Sequence, residues 1–106
     1  MKKCYFAHII TWEESERGWG CRPDGFSLHV SQDEADNYIK EHWKREQEFN
    51  AKYGISGVPD EYSRPVSNKA EVVPITSKAA KALTEAHRAG KHGLHMHRKS
   101  DFMVDV

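Results

Sequence analysis

The sequence predicts a small α+β domain: an antiparallel sheet in ββαβα order, with helices packed on one face and a further strand available at the C-terminus. Three observations carry this reading. Residues 4–12 and 26–30 are rich in aromatic and β-branched side chains. A helix-periodic apolar pattern follows a capping sequence at Ser31. A short alanine-rich helix follows the strand-like Glu71-Val72-Val73-Pro74-Ile75-Thr76. The 106 residues have the length of one domain, placed at residues 1–90, with 91–106 a histidine-containing tail that is either mobile or an added strand.

In the first strand, Phe6, Ile10 and Trp12 share one face and Tyr5, Ala7 and Ile9 the other, so both faces are expected to be covered. Phe26-Ser27-Leu28-His29-Val30 alternates, which sends Phe26, Leu28 and Val30 inward and Ser27 and His29 outward, and the two strands form a hairpin. The connection, residues 13–25, reads as a long loop, and long ordered loops commonly carry function. Ser31-Gln32-Asp33-Glu34 is a capping box. The helix it opens has Ala35, Tyr38, Ile39, Trp43, Phe49 and Tyr53 at apolar positions and stops at Gly54, with Trp43 and Phe49 expected against the sheet. Residues 55–69 read as an irregular connector. The third strand contains Pro74, which places it at an edge or a bulge. Ser77 is expected to cap the second helix, where only Leu83 is large and apolar, and Gly90 ends it.

Sixteen basic and sixteen acidic residues balance, so no strong field favours duplex nucleic acid or an anionic membrane. No stretch approaches the roughly 20 apolar residues of a membrane span. Lys2 and Lys3 precede an apolar run, but His8, Glu13 and Glu14 interrupt it, so it reads as a strand rather than a signal peptide. Cys4 and Cys21 then read as free thiols of a cytoplasmic protein.

The candidate site is the loop. Gly18 and Gly20 flank Trp19, while Arg17 and Arg22 place guanidinium groups near that ring and Pro23-Asp24-Gly25 closes the loop as a turn. A flat ring beside two bidentate donors suits an anionic, nucleotide-derived ligand. The expected ligand set is Arg17, Gly18, Trp19, Gly20, Arg22, Asp24 and His29, the last on the adjoining strand. The plainer alternative folds Trp19 into the core and pairs the arginines with Glu13, Glu14, Glu16 or Asp24. The segment has neither the lysine of a P-loop nor the third glycine of a dinucleotide fold.

No catalytic residue, metal or cofactor is assigned. His8 and His29 can meet across the hairpin as an acid/base pair, but only His29 is followed by the x-Ser/Thr spacing of two-histidine phosphoesterases. Arg22 would lower the pKa of Cys21, yet no histidine is placed to act as its base. His92, His95 and His97 lack a cysteine or carboxylate at a metal-site spacing and read as a solvated tail. Lys69, Lys78 and Lys81 are too sparse for a nucleic-acid stripe.

From Trp12 to His29, with its Gly18-Trp19-Gly20-Cys21-Arg22-Pro23-Asp24-Gly25 core, the chain resembles a group of small proteins of tailed phages and prophages. The resemblance extends through Val58-Pro59-Asp60-Glu61-Tyr62-Ser63-Arg64-Pro65. It implies an early, non-structural product in the cytoplasm of a bacterial host, binding a defence protein or its nucleotide signal. The leading expectation is therefore a non-catalytic protein that sequesters a nucleotide-like anion. The alternatives are a protein inhibitor of a host defence effector and a small phosphoesterase using His8 and His29. A homo-oligomer is compatible with each.

Overall fold

The computed structural model describes residues 5–16, 20–54 and 61–104. The long first strand β1 (Tyr5–Glu16) organises a five-stranded antiparallel sheet. Along one edge it pairs with β2 (Gly20–His29). Its other edge is shared: β3 (Glu61–Pro65) lies beside its second half and β4 (Glu71–Ile75) beside its first. β5 (Leu94–Met96) adds to the far side of β2. Two helices, α1 (Gln32–Lys52) and α2 (Ser77–Arg88), complete an α+β fold.

The expected loop 13–25 is mostly strand. Pairing runs from Glu13↔Pro23 to Glu16↔Gly20, and Glu13 to Glu16 also pair with β3. Bonding on both sides of β1 holds extended a segment that lacks strand-like side chains. The Pro-Asp-Gly sequence makes a bulge rather than a loop end: the register jumps from Thr11↔Phe26 to Glu13↔Pro23, leaving Asp24 and Gly25 opposite Trp12. Gly25 sits at φ +84°, and a Cβ there would lie 2.7 Å from the Met96 carbonyl oxygen, so two constraints require glycine. Within the presumed connector, β3 tolerates Pro65 because it pairs only with β1.

The helices divide between the faces instead of sharing one. Ile10 and Trp12 pack with Ala35 and Ile39 of α1, whereas Ala7 and Ile9 pack with Leu28, Val73, Ile75 and, from α2, Ala79 and Leu83. Alternate residues of a strand point to opposite faces, so the two clusters lie on opposite sides of β1. This layering covers both faces of β2: Leu28 and Phe26 turn inward as expected, but Ser27 and His29, expected outside, are fully buried under α1, and Val30 is exposed. Ser31 caps α1 by accepting from the Glu34 amide. The only buried residues of this helix are Ala35 and Ile39; Trp43 and Phe49 are exposed, contrary to expectation.

Thr76, not Ser77, caps α2, its Oγ1 accepting from Ala79 N at 3.1 Å. The histidine segment is not a solvated tail. β5 pairs with β2, Met103 bridges to Ile75, the Thr76 amide donates to the Phe102 carbonyl at 2.8 Å, and Phe102 is fully buried against Phe26. No helix among the described residues is long and apolar enough to cross a membrane.

Candidate functional site

Of the residues expected to form one site, the described ones are spread along β2. Arg17, Gly18 and Trp19 lie outside the described residues. Gly20 opens β2 at φ +81°. Arg22 faces Glu14 across the hairpin and donates from Nε to its Oε2 at 3.1 Å. On β3, Arg64 donates to Glu13 at 2.6 Å and points Nη2 at the exposed, free thiol of Cys21 at 3.4 Å. Cys4 lies outside the described residues. The plainer sequence alternative, arginine paired with acidic neighbours, is thus realised at Arg22. His29 stands seven positions from Arg22 on the same strand, about 20 Å at ~3.3 Å per residue. It cannot touch a ligand that Arg22 holds.

His29 instead anchors a buried polar chain. Its Nδ1 lies 2.8 Å from the His92 carbonyl oxygen, and its Nε2 lies 2.7 Å from Ser27 Oγ. A carbonyl only accepts, so Nδ1 carries the proton and Nε2 accepts from the Ser27 hydroxyl. That hydroxyl in turn accepts from the Trp12 indole N–H at 2.7 Å. Burial holds the pKa of His29 below its ordinary value, consistent with a neutral ring. A serine hydroxyl donating to an imidazole is the opening geometry of nucleophilic catalysis, but Ser27 is fully buried. His8 is the register partner of His29, and both His29 nitrogens are already engaged within the fold.

A second histidine joins distant elements. His92 bridges two α1 carboxylates, Glu34 at 2.5 Å and Glu41 at 3.3 Å, and His87 of α2 lies 3.6 Å from Glu34. The hydrogen bond that His92 donates to the Glu34 carboxylate is the largest influence raising the His92 pKa. Glu34, expected to close the capping box, thus ties α1 to the turn after α2. Among the described residues, no group of three or more His, Cys, Asp or Glu is arranged to hold a metal.

An open cavity lies where α1 crosses the bulge. Trp12, Asp24, Tyr38, His42, Ser63 and His95 line a cavity of about 170 Å³. The rings stand at steep angles: Trp12 to Tyr38 at 72° and 5.9 Å, Trp12 to His42 at 67° and 4.9 Å. His42 Nε2 lies 2.7 Å from the Ser63 carbonyl, and the Ser63 hydroxyl donates to Asp24. Burial lowers the pKa of His95 and raises that of Tyr38. Of these six residues only Asp24 belonged to the expected site. Tyr38 and His42, four apart on α1, carried the one available signal, but Ser63 and His95 sit on strands that sequence reading left as connector and tail. A second groove, about 320 Å³, runs beside Tyr5 and α2, with Lys81, Glu85 and Arg88 along it.

No protein family, no curated protein and no solved structure matches the chain.

Proposed function

We propose that this protein is a non-catalytic protein-binding module whose contact surface is the outer part of α1. The observation that carries the reading is the fate of the helix's apolar stripe. Ala35 and Ile39 are buried, but the stripe continues through Trp43, Phe49 and Tyr53, which are 37%, 55% and 61% exposed. Phe49 and Tyr53 pack on each other at 4.7 Å. Exposed aromatic side chains on one rigid element are the residue type that dominates interface hot spots.

Capture of a nucleotide-derived anion is supported less well. Arg22 is engaged with Glu14, His29 is remote, and the cavity beneath α1 presents a carboxylate. Its volume of about 170 Å³ is well below the ~300 Å³ at which ligand pockets usually begin, and the groove of about 320 Å³ beside α2 holds none of the expected ligand residues. With the phage resemblance as setting, the partner class is a host defence protein in the bacterial cytoplasm.

The test is site-specific crosslinking in host cells. A photo-reactive phenylalanine analogue at Phe49 should give one discrete adduct, and the same group at exposed Lys78 on α2 should not. Equal labelling from both positions, or a nucleotide that binds the wild type by calorimetry while position 49 stays silent, would remove the proposal.

A further inference from the structure

We propose that the cavity between α1 and the β2 bulge is a socket for one basic side chain, a guanidinium or alkylammonium group, presented by the protein partner. The proposal rests on the protein-binding reading and adds the chemistry of what that partner inserts.

The hydrogen-bond inventory makes the argument. The Trp12 N–H is spent on Ser27, the Ser63 hydroxyl on Asp24, and the His42 Nε2–H on the Ser63 carbonyl. Apart from the Tyr38 hydroxyl and the His95 ring, the lining offers acceptors and ring surfaces. An anion would find donors only at the Tyr38 hydroxyl and the His95 ring, and would face the Asp24 carboxylate. Lysine and arginine carry donors only, so they are the side chains that such a lining satisfies.

Charge points the same way. Asp24 Oδ2 accepts from Ser63, and among the described residues no lysine or arginine pairs with this carboxylate. A half-buried carboxylate whose described neighbours are a hydroxyl and the His95 ring is stabilised by an incoming cation. The rings of Trp12, Tyr38 and His42 form walls at steep mutual angles, and aromatic faces attract a desolvated cation. The volume, about 170 Å³, fits one long side chain and not a nucleotide. Trp43 packs on His42 at 4.8 Å, so the wall of the socket adjoins the exposed aromatic surface of α1.

The test is an NMR titration of the intact protein, followed at the Trp12 indole N–H, with Nα-acetyl-arginine methylamide and its lysine and glutamine counterparts. The basic probes should bind saturably in the millimolar range and the glutamine probe should not. Asp24→Asn retains an acceptor for Ser63 and the side-chain size, and should weaken the basic probes by about ten-fold or more. Tyr38→Phe keeps the ring and should change affinity by no more than about two-fold. Equal binding of the glutamine probe, unchanged affinity in Asp24→Asn, or no saturable shift in the wild type would each overturn the socket. Ethylguanidine binding more tightly than the arginine probe would overturn the partner side chain as the source. A crosslink at Phe49 with an inert cavity sinks the socket alone; a working socket without that crosslink sinks the partner reading alone.

Discussion

Ser27→Ala removes a single oxygen from a position with no exposed surface. The lost volume is small, so the cost is set by what the oxygen was bonding. Without it the Trp12 indole N–H has no acceptor and His29 Nε2 has no donor, both beneath α1. A buried polar group left unsatisfied costs about 1–3 kcal/mol, so the pair should cost about 2–6 kcal/mol. That is a large share of the 5–15 kcal/mol by which such domains are typically stable, roughly speaking. Urea unfolding followed by circular dichroism measures it, and the slope against urea should be unchanged because the folded state buries the same surface. Ser77→Ala, on exposed α2, is the control and should stay within about 0.5 kcal/mol. A loss below about 1 kcal/mol in Ser27→Ala would refute the buried chain, since that is ordinary behaviour for a surface serine. Nitrogen-15 NMR gives a second check: wild-type His29 should carry its proton on Nδ1, and a proton on Nε2 would reverse the direction of the chain.

Four further outcomes follow from the packing. Phe102→Ala should destabilise by about 3–5 kcal/mol, and removal of residues 91–106 should abolish cooperative unfolding; a truncated chain that melts like the wild type would return the segment to a tail. Phe49→Ala, at a site more than half exposed, should cost well under the roughly 3–5 kcal/mol of a buried aromatic by urea unfolding, and a core-sized loss would mean that α1 packs differently. Gly93→Ala would place a Cβ 2.4 Å from the His29 ring and 3.1 Å from the Leu28 carbonyl, so its melting temperature should fall clearly; an unchanged melt would contradict the path of the chain into β5. The pH dependence combines two opposed histidines. His29 is held below the ordinary 6.5 by burial, so its contribution is full above that value and is lost as pH falls toward its folded pKa. His92 is held above 6.5 by Glu34, so its contribution is full below that value and is lost as pH rises through its folded pKa. His92→Gln removes the acid-side compensation, and its stability should fall more steeply than the wild type's between about pH 7 and 5 in thermal melts; an equal slope would rule out the Glu34 pairing.

Local pattern determined a good deal of this protein. The alternation of 26–30, the apolar run of 4–12, the Ser31 cap and the glycines after both helices are properties of neighbouring residues, and they gave the hairpin, both helices and the α+β class. Alternation turned Phe26 and Leu28 inward correctly, but it could not show that the opposite face of β2 is covered too, because Ser27 and His29 look exposed until a helix covers them and each finds a hydrogen-bond partner from Trp12 or the His92 carbonyl. The same limit hid β3 and left β5 undecided between mobile tail and added strand, since such short stretches are strands only because β1 and β2 offer unpaired edges. It also hid the cavity: Arg17, Trp19 and Arg22 stand together in sequence, whereas Asp24, Ser63, Tyr38, His42 and His95 meet only where four separate elements converge. Backbone edges and concave space are created by long-range pairing, so the cavity exists only in the tertiary structure.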